Sequence, residues 1–205
     1  MIATPGRLLD HVEQKNISLA QVQMLVMDEA DRMLDMGFLP DLQRIILLLP
    51  KQRQNLMFSA TFSPEIKKLA NSFLTDPVTI EVARSNATAD RVTQVVYKVQ
   101  EDYKRDLVAH LLRQRELKQV IVFSNTKIGA SRLARSLEQE GMKASAIHGD
   151  KTQQERMAAL EAFKKGEIDV LVATDVAARG LYISVLPCLI SYDMPYSAED
   201  CVHRI

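Results

Sequence analysis

Short apolar runs alternate with amphipathic helical stretches along most of this chain, and this alternation limits its fold more than any other sequence feature. Val22–Met27 is a largely apolar run bounded by polar residues, which is typical of a buried parallel strand. Apolar residues then recur at helical spacing over Leu42–Leu49, and Pro50 ends that stretch. Repeated strand–helix units predict an α/β fold, in which parallel sheets carry helices on both faces.

The same alternation predicts the remaining elements. Ser63 followed by Pro64 indicates a helix start, and Gly141 and Gly166 follow two predicted helices. Further predicted strands are Leu56–Phe58, Val78–Val82, a strand with Val95, Tyr97 and Val99 on one face, Val120–Phe123, Ala144–Ile147, Val170–Ala173 and Leu189–Tyr192.

A polar stretch of small residues divides the chain. Residues 83–92 show no apolar period, so we interpret them as a linker between a first domain, 1–82, and a second domain, 93–205. With 205 residues, the chain has room for about one large domain, two small ones or pieces of two.

The composition excludes several classes of protein. The apolar fraction is 47% and the charged fraction 25%, which excludes a disordered tail. The 26 basic and 26 acidic side chains cancel, so any binding of nucleic acid has to come from a local groove. No apolar run is long enough for a membrane span, and Cys188 and Cys201 without a spacing pattern indicate reduced thiols in a cytoplasmic protein.

The first predicted strand ends in an acidic cluster, Asp28-Glu29-Ala30-Asp31. Ligands of parallel α/β sheets collect at the carboxyl ends of strands, and two adjacent carboxylates suit a Mg²⁺–nucleotide site. One carboxylate can hold the hard cation while the other orients a water for attack on phosphate. The alternative is an ordinary helix N-terminus, whose dipole also favours acidic residues.

Other polar clusters lie at or near further predicted turns and strand ends. Each is weak alone, since turns, helix starts and solvated surfaces use the same residue types. They are Thr4-Pro5-Gly6-Arg7, Ser59-Ala60-Thr61, Ala173-Thr174-Asp175 with Ala178-Arg179-Gly180, and His203-Arg204.

Taken together and in order, these segments resemble the DEAD-box ATP-dependent RNA helicases. The matching segments are ATPGRLLDH from Ala3, VMDEADRMLDMGF from Val26, SAT from Ser59, IVFSNTK from Ile121, HGDKTQQER from His148, VATDVAARG from Val172 and HRI from His203. The resemblance covers essentially the whole chain. The linker region is most similar to the bacterial RhlE-type branch.

The resemblance implies two RecA-like domains that clamp RNA across their faces and bind ATP in the cleft between them. It implies that Asp28 binds Mg²⁺ through water and that Glu29 positions or activates the hydrolytic water. Asp31 would connect that site to Ser59 and Thr61, which couple hydrolysis to RNA handling.

The remaining roles are also implied by the resemblance. The expected contacts to RNA are Thr4, Gly6, Arg7, Gly37, Asn125, Thr126, Gly149, Gln153, Arg156 and Thr174. The expected contacts to the nucleotide or the domain interface are Asp175, Arg179, Gly180, Tyr182, His203 and Arg204. Because such contacts go to phosphates and 2′-hydroxyls, we expect little sequence preference and salt-sensitive affinity.

Three departures from the family pattern bear on activity. None of the seven glycines lies in a G-x-x-x-x-G-K-[ST] phosphate loop, and the family's later arginines, which include the finger for phosphoryl transfer, do not follow Arg204. We therefore expect an internal segment, with the first domain truncated at its N-terminus and the second at its C-terminus. Tyr182 occupies the position of an aspartate that touches the ribose in the family, and a phenol does not replace a carboxylate there.

Three hypotheses follow. The first is the central segment of an ATP-dependent RNA helicase, cytoplasmic and monomeric, which is inactive as an ATPase when isolated. The second is a non-catalytic module that binds single-stranded RNA. The third is a scaffold or dominant-negative partner of a complete helicase. The sequence does not identify the RNA substrate or the pathway.

Overall fold

The computed structural model describes residues 1–81, 92–178, 186–196, 200, 201 and 204. The chain divides into two compact units, Met1–Ala87 and Thr88–Ile205.

The first unit is built around a small parallel sheet. Its elements are α1 (Pro5–Glu13), β1 (Met24–Met27), α2 (Ala30–Asp35), α3 (Leu39–Leu48), β2 (Gln54–Met57) and α4 (Pro64–Phe73). β1 and β2 pair in parallel, with Met24 opposite Gln54 and Met27 opposite Met57. Two small apolar clusters flank this sheet. One is formed by Leu9, Leu19, Ile45 and Leu49, and the other by Ala30, Ile66 and Leu69.

The second unit contains a four-stranded parallel sheet in the order β4-β5-β3-β6. Its elements are a 3₁₀ turn (Glu101–Tyr103), α5 (Lys104–Gln114), β3 (Val120–Phe123), α6 (Lys127–Gln139), β4 (Ala144–Ile147), α7 (Gln153–Lys164), β5 (Val170–Ala173), α8 (Asp175–Ala178) and β6 (Cys188–Ser191). β3 and β5 are buried along their whole length, as central strands covered on both faces should be.

Alternation along the central strands divides the core of the second unit into two layers. Val120, Val122, Val170 and Val172 pack against α5 and α6 on one face. Ile121, Phe123, Leu171 and Ala173 pack against α7 on the other face, where Phe163 is fully buried. Because all four strands run parallel, their carboxyl ends lie at one edge of the sheet.

Several local predictions are confirmed. Ser63 caps α4 by accepting a hydrogen bond from the Ile66 N–H at 3.3 Å, and Pro64 is the first helical residue. Gly141 and Gly166 follow α6 and α7 with φ of 81° and 74°, the left-handed conformation that ends helices. The described helices include none that is long and apolar enough to cross a membrane.

Two predicted strands are wrong. The described part of Val78–Val82, residues 78–81, has no strand structure, and neither has the segment with Val95, Tyr97 and Val99. A strand needs a neighbour that takes its hydrogen bonds, and no such neighbour flanks these segments in the described residues. Val78 and Ile80 are instead 87% and 80% exposed.

Candidate functional site

The acidic cluster of the first unit lies where β1 ends. The Phe58 N–H donates to the carbonyl of Met27 at 2.8 Å and the Ala30 N–H donates to that of Phe58 at 3.0 Å, so the pairing of the two strands continues into α2. Asp28 and Glu29 are exposed, and Oδ1 of Asp28 accepts the Glu29 N–H at 2.9 Å.

Glu29 has an unusual backbone. Its φ of 51° and ψ of 48° are left-handed, although it is not a glycine. Residues without glycine's freedom adopt this conformation rarely, and such strain is concentrated at functional sites. The turn and its two exposed acidic residues lie at the edge where ligands of parallel sheets bind.

Asp31 lies behind this pair and is buried, with 3% of its surface exposed. Its Oδ2 accepts two hydrogen bonds from Thr61, one from the backbone N–H at 2.9 Å and one from the hydroxyl at 3.0 Å. The Ser59 hydroxyl donates to the carbonyl of Thr61 at 2.7 Å. The structure thus brings together three of the predicted residues, and it joins α2 to the segment after β2.

The donor set at β1 fits a hydrated magnesium ion. The described residues contain no group of three or more histidine, cysteine, aspartate or glutamate side chains that could enclose a metal. Mg²⁺ usually keeps several waters and takes one or two carboxylates from the protein. Asp28 and Glu29 meet that requirement without further ligands.

The other predicted residues of the first unit lie at helix ends. Thr4 precedes α1, and its side chain makes no capping hydrogen bond to any residue that the structure describes. Gly6 has open space where a Cβ would lie, and Arg7 pairs with Asp10 at 2.7 Å on the surface. Gly37 ends α2 with φ of 76°, and its N–H donates to the carbonyl of Leu34 at 2.8 Å. Gly37 therefore has a structural role of its own.

In the second unit, predicted site residues follow three neighbouring strands. Asn125 and Thr126 follow β3, Gly149 follows β4, and Thr174 and Asp175 follow β5. Thr126 caps α6 by accepting the Gly129 N–H at 2.9 Å, and Thr174 is buried with its carbonyl at the start of α8. Parallel pairing places all of these residues at one edge of the sheet.

Arg204 connects several of these strand ends. Its Nε and Nη2 donate to the two carboxylate oxygens of Asp175 at 2.7 and 2.8 Å. The other N–H groups donate to Oδ1 of Asn125 at 3.0 Å, to Oγ of Ser191 at 3.1 Å and to the carbonyl of Asp193 at 2.8 Å. All five donors of the guanidinium are therefore used inside the unit.

This geometry shows how two of these residues are held within the unit. The expected contact of Arg204 and Asp175 with the nucleotide or the domain interface stays a prediction. The side chain of Arg204 is 2% exposed, and its Cζ lies 4.9 Å from the ring centre of Phe123. Asn125 donates its amide to the carbonyl of Met194 at 2.8 Å, so its side chain is also engaged within the unit.

Asp193 is a central residue that the sequence analysis missed. Its Oδ2 accepts from the Ser124 hydroxyl and from the Asn125 N–H, both at 2.9 Å, and its Oδ1 lies 3.2 Å from the ammonium of Lys104. It directly follows the predicted strand Leu189–Tyr192, so the strand-end criterion applied to Asp28 could have found it.

The pKa values of Asp193 and Lys104 follow from the contacts of these two residues. Burial alone would raise the pKa of Asp193, but hydrogen bonds from Asn125, Ser124 and Lys104 outweigh burial and hold that pKa below its usual value. Burial likewise opposes the charge of Lys104, but Glu101 and Asp193 raise its pKa overall. The charged forms of both partners are therefore favoured.

Gln153 and Arg156 lie in the first turns of α7. Nη1 of Arg156 lies 3.4 Å from Oε1 of Gln153. Nε of Arg156 is buried and has no hydrogen-bond partner within the described part of the chain. A buried donor without an acceptor is costly, which makes Arg156 a candidate for contact with an anionic ligand.

The remaining predicted site residues lie outside the described residues. They are Arg179, Gly180, Tyr182 and His203.

Comparison with known proteins identifies the family. The family model described as DEAD/DEAH box helicase matches residues 1–69, and that of the helicase conserved C-terminal domain matches residues 102–205. The chain is 45% identical to the DEAD-box ATP-dependent RNA helicase CshA of Bacillus subtilis and 44% identical to RhpA of Helicobacter pylori strain B128. Both alignments cover the whole chain but only 42% of each relative.

Solved structures agree with this match. The structure of S. cerevisiae Dbp5 bound to RNA and ADP BeF3 is 32% identical, with a TM-score of 0.88, and the match covers 99% of this chain and 54% of that one. A DEAD box protein from Methanococcus jannaschii is 36% identical, with a TM-score of 0.55 over 100% of this chain and 55% of that one. The prediction of RecA-like parallel-sheet domains is confirmed. The chain belongs to the DEAD-box family of ATP-dependent RNA helicases.

Proposed function

We propose that this chain is the central segment of an ATP-dependent RNA helicase, in which ATP hydrolysis drives the unwinding or remodelling of RNA duplexes. The observation that carries the proposal is the pair of hydrogen bonds between Asp31 and Thr61, at 2.9 and 3.0 Å. They connect the carboxylates at the end of β1 to the Ser59–Thr61 segment after β2. A protein that only binds RNA has no chemical use for the two exposed carboxylates, Asp28 and Glu29, that this connection supports.

Asp28 and Glu29 would hold the nucleotide's magnesium ion and order the attacking water. Within the described residues only Oδ1 of Asp28 accepts a hydrogen bond, from the Glu29 N–H, so Oδ2 can accept from a metal-bound water. Magnesium supplies charge neutralisation on the phosphates. The exposed carboxylate of Glu29 would orient the water, and Asp31 would hold the turn that presents both residues.

The sheet edge of the second unit would contact the RNA backbone. Thr126, Gly149 and Arg156 supply a hydroxyl, a backbone without a side chain and a guanidinium along that edge, and these groups suit phosphates and 2′-hydroxyls. Asn125, Asp175 and Arg204 would position this edge rather than touch a ligand, since their polar groups bond to each other.

The Nε of Arg156, which has no hydrogen-bond partner among the described residues, also favours the alternative, a non-catalytic module that binds single-stranded RNA. It indicates an anionic ligand in the second unit without requiring a nucleotide in the first. The two functions make different predictions about chemistry, so an activity assay separates them.

The test is a chimera in which this chain replaces the matching 42% of Bacillus subtilis CshA. We expect RNA-stimulated phosphate release and strand separation from the chimera and no ATPase activity above buffer from the isolated 205-residue chain. Glu29→Gln should abolish phosphate release. Asp76→Asn, which removes an exposed carboxylate elsewhere in the unit, should not.

Two outcomes would count against the helicase proposal. One is a chimera that binds RNA but releases no phosphate while CshA itself is active, which favours the non-catalytic module. The other is full activity of the Glu29→Gln chimera.

A cytoplasmic location and a monomeric state belong to the same proposal, and the free thiols of Cys188 and Cys201 support a reducing compartment.

A further inference from the structure

We propose that a basic cleft between α6 and the segment after β4 binds an additional RNA backbone phosphate, beyond the contacts named above. This inference rests on the proposed RNA-binding function and extends its footprint. The cleft has a volume of about 190 Å³ and lies wholly within the second unit.

The walls of the cleft are set by helix geometry. One wall is formed by four residues of α6. Counted from Ile128, the others lie three, four and seven positions later, at Ser131, Arg132 and Arg135, so all four share one face of the helix. His148 and Asp150, which follow the edge strand β4, complete the lining. Residues of α6 and of this segment therefore line one cleft.

The charges of the cleft do not cancel. Lys127 is neutralised by Asp150, whose Oδ1 lies 2.6 Å from its ammonium. Arg132 and Arg135 are exposed and have no ion pair or hydrogen bond within the described part of the chain. Two guanidinium groups are thus free for a bidentate contact with a phosphate.

The floor of the cleft adds a hydroxyl donor. His148 is 5% exposed, and its Nδ1 accepts the N–H of Asp150 at 3.3 Å. In the neutral ring the proton is then on Nε2, which donates to Oγ of Ser131 at 2.7 Å. The hydrogen of the Ser131 hydroxyl remains available to the cleft.

The protonation of His148 supports this assignment. Burial lowers the pKa of His148, and this effect of burial outweighs the opposing effect of the Asp150 charge. The ring therefore stays neutral at physiological pH and keeps the hydrogen-bond direction that frees the Ser131 hydroxyl.

The position of the cleft favours RNA over a free anion. Lys127 directly follows Thr126, and its Cε lies 3.4 Å from where a Cβ on Gly149 would be, so the cleft adjoins two proposed RNA contacts. Ile128 is 65% exposed beside the cations and offers apolar surface to a ribose or a base. A bare phosphate ion has no use for that surface.

The test uses the complete 205-residue chain and fluorescein-labelled oligouridine, with binding measured by fluorescence anisotropy over a range of salt concentrations. In the double variant Arg132→Gln/Arg135→Gln we expect roughly tenfold weaker binding at low salt and a salt slope smaller by about one to two. Glutamine retains helix propensity, so α6 should remain folded, which circular dichroism checks.

The matched control removes two exposed charges at the other end of the sheet. Lys164→Gln/Lys165→Gln changes the end of α7, which leads to the start of β5. It should alter affinity less than twofold and leave the salt slope unchanged. An equal effect of both double variants would overturn the proposal, because it would indicate only general attraction to a positive surface.

Further arms distinguish the possible ligands. If the wild type binds RNA and the Arg132/Arg135 variant binds it equally well, the cleft proposal alone is overturned. If the wild type binds no RNA, the cleft proposal and the proposed RNA contacts of the second unit are both overturned, whereas the chimera still tests ATP hydrolysis. Inorganic phosphate or poly-glutamate that binds wild type and not the variant, without competing with RNA, assigns the cleft to a free anion or an acidic protein. Competition with RNA supports our assignment.

Discussion

A single carboxylate oxygen of Asp31 accepts both the backbone N–H and the hydroxyl of Thr61. The two residues are 30 positions apart in the sequence and are 3% and 4% exposed. A buried carboxylate gains much from donors and loses much without them. This contact therefore fixes the turn after β1 relative to the segment after β2, and it does so behind the exposed Asp28 and Glu29.

Replacing Thr61 by valine should destabilise the first unit by about 1–2 kcal/mol. Valine keeps the shape and the backbone N–H bond but removes the hydroxyl donor, which leaves Asp31 with one fewer hydrogen bond in a buried place. Urea unfolding followed by far-UV circular dichroism measures the change. Thr75→Val, at an exposed position, should shift stability by less than about 0.5 kcal/mol. Equal effects of both substitutions would contradict the importance of this contact.

Arg204 should matter far more to stability than an exposed arginine. Arg204→Met removes all five donors and leaves Asp175, whose side chain is 17% exposed, without its cation. We expect a loss of about 3–5 kcal/mol. Arg113→Met is the control, because Arg113 pairs with Glu140 at 2.7 Å with 55% of its side chain exposed. It should cost about 1 kcal/mol or less.

The positions of the tyrosines allow unfolding of the second unit to be followed by itself. The chain has no tryptophan, and its five tyrosines all lie at position 97 or later. Tyrosine fluorescence during urea unfolding therefore reports on the second unit only. A similar loss for Arg204→Met and Arg113→Met would show that the buried network contributes little.

Asp193 should make the second unit sensitive to acid. Since its pKa in the folded protein is lowered, its contribution to stability is complete above the unfolded value of about 4 and is lost as the pH falls through the folded pKa. Asp193→Asn should cost about 2 kcal/mol at neutral pH. The difference in melting temperature from wild type should shrink as the pH falls below about 4.

The control for this prediction is Asp102→Asn, an exposed carboxylate in the same unit. Its melting temperature should follow that of the wild type at every pH. A constant difference between Asp193→Asn and wild type from neutral to acidic pH would mean that the charge of Asp193 has no part in the stabilisation.

The strand ends were predictable because the period of apolar residues locates buried strands, and polar residues after them are visible in the sequence. Asp28 and Asp175 were found in this way. The strands expected near Val78 and Val95 failed because local apolar spacing does not reveal whether a partner strand is present. Asp193 also follows a predicted strand and could have been selected on that criterion. Its partners Ser124 and Asn125 could not, because they are 69 and 68 positions away and only the folded sheet brings them together.

Arg204 illustrates the same limit for side-chain roles. Its place in the HRI segment predicts contact with a nucleotide or the domain interface, and this stays a prediction. The sequence did not show which acceptors surround the guanidinium. Those acceptors come from four separate places in the chain, at residues 125, 175, 191 and 193. Sequence order contains no measure of that enclosure.

Glycine is favoured at position 129 for a packing reason. A Cβ there would lie 2.7 Å from Oγ of Ser124 and 2.7 Å from Oγ1 of Thr126, which is too close. Both hydroxyls would have to rotate away, and each already makes a hydrogen bond, to Asp193 and to the Gly129 N–H. The predicted RNA contact Thr126 therefore depends on Gly129.

Gly129→Ala should destabilise the second unit by about 1–3 kcal/mol, although alanine is normally favoured over glycine in a helix by about 1 kcal/mol. Gly6→Ala provides the opposite case, because nothing lies within 4 Å of a Cβ at that position of α1, and it should stabilise the first unit by up to about 1 kcal/mol. Tyrosine fluorescence measures the first variant and far-UV circular dichroism the second. A stabilising Gly129→Ala would mean that Ser124 and Thr126 can move without loss, and that the cap on α6 is not held by close packing.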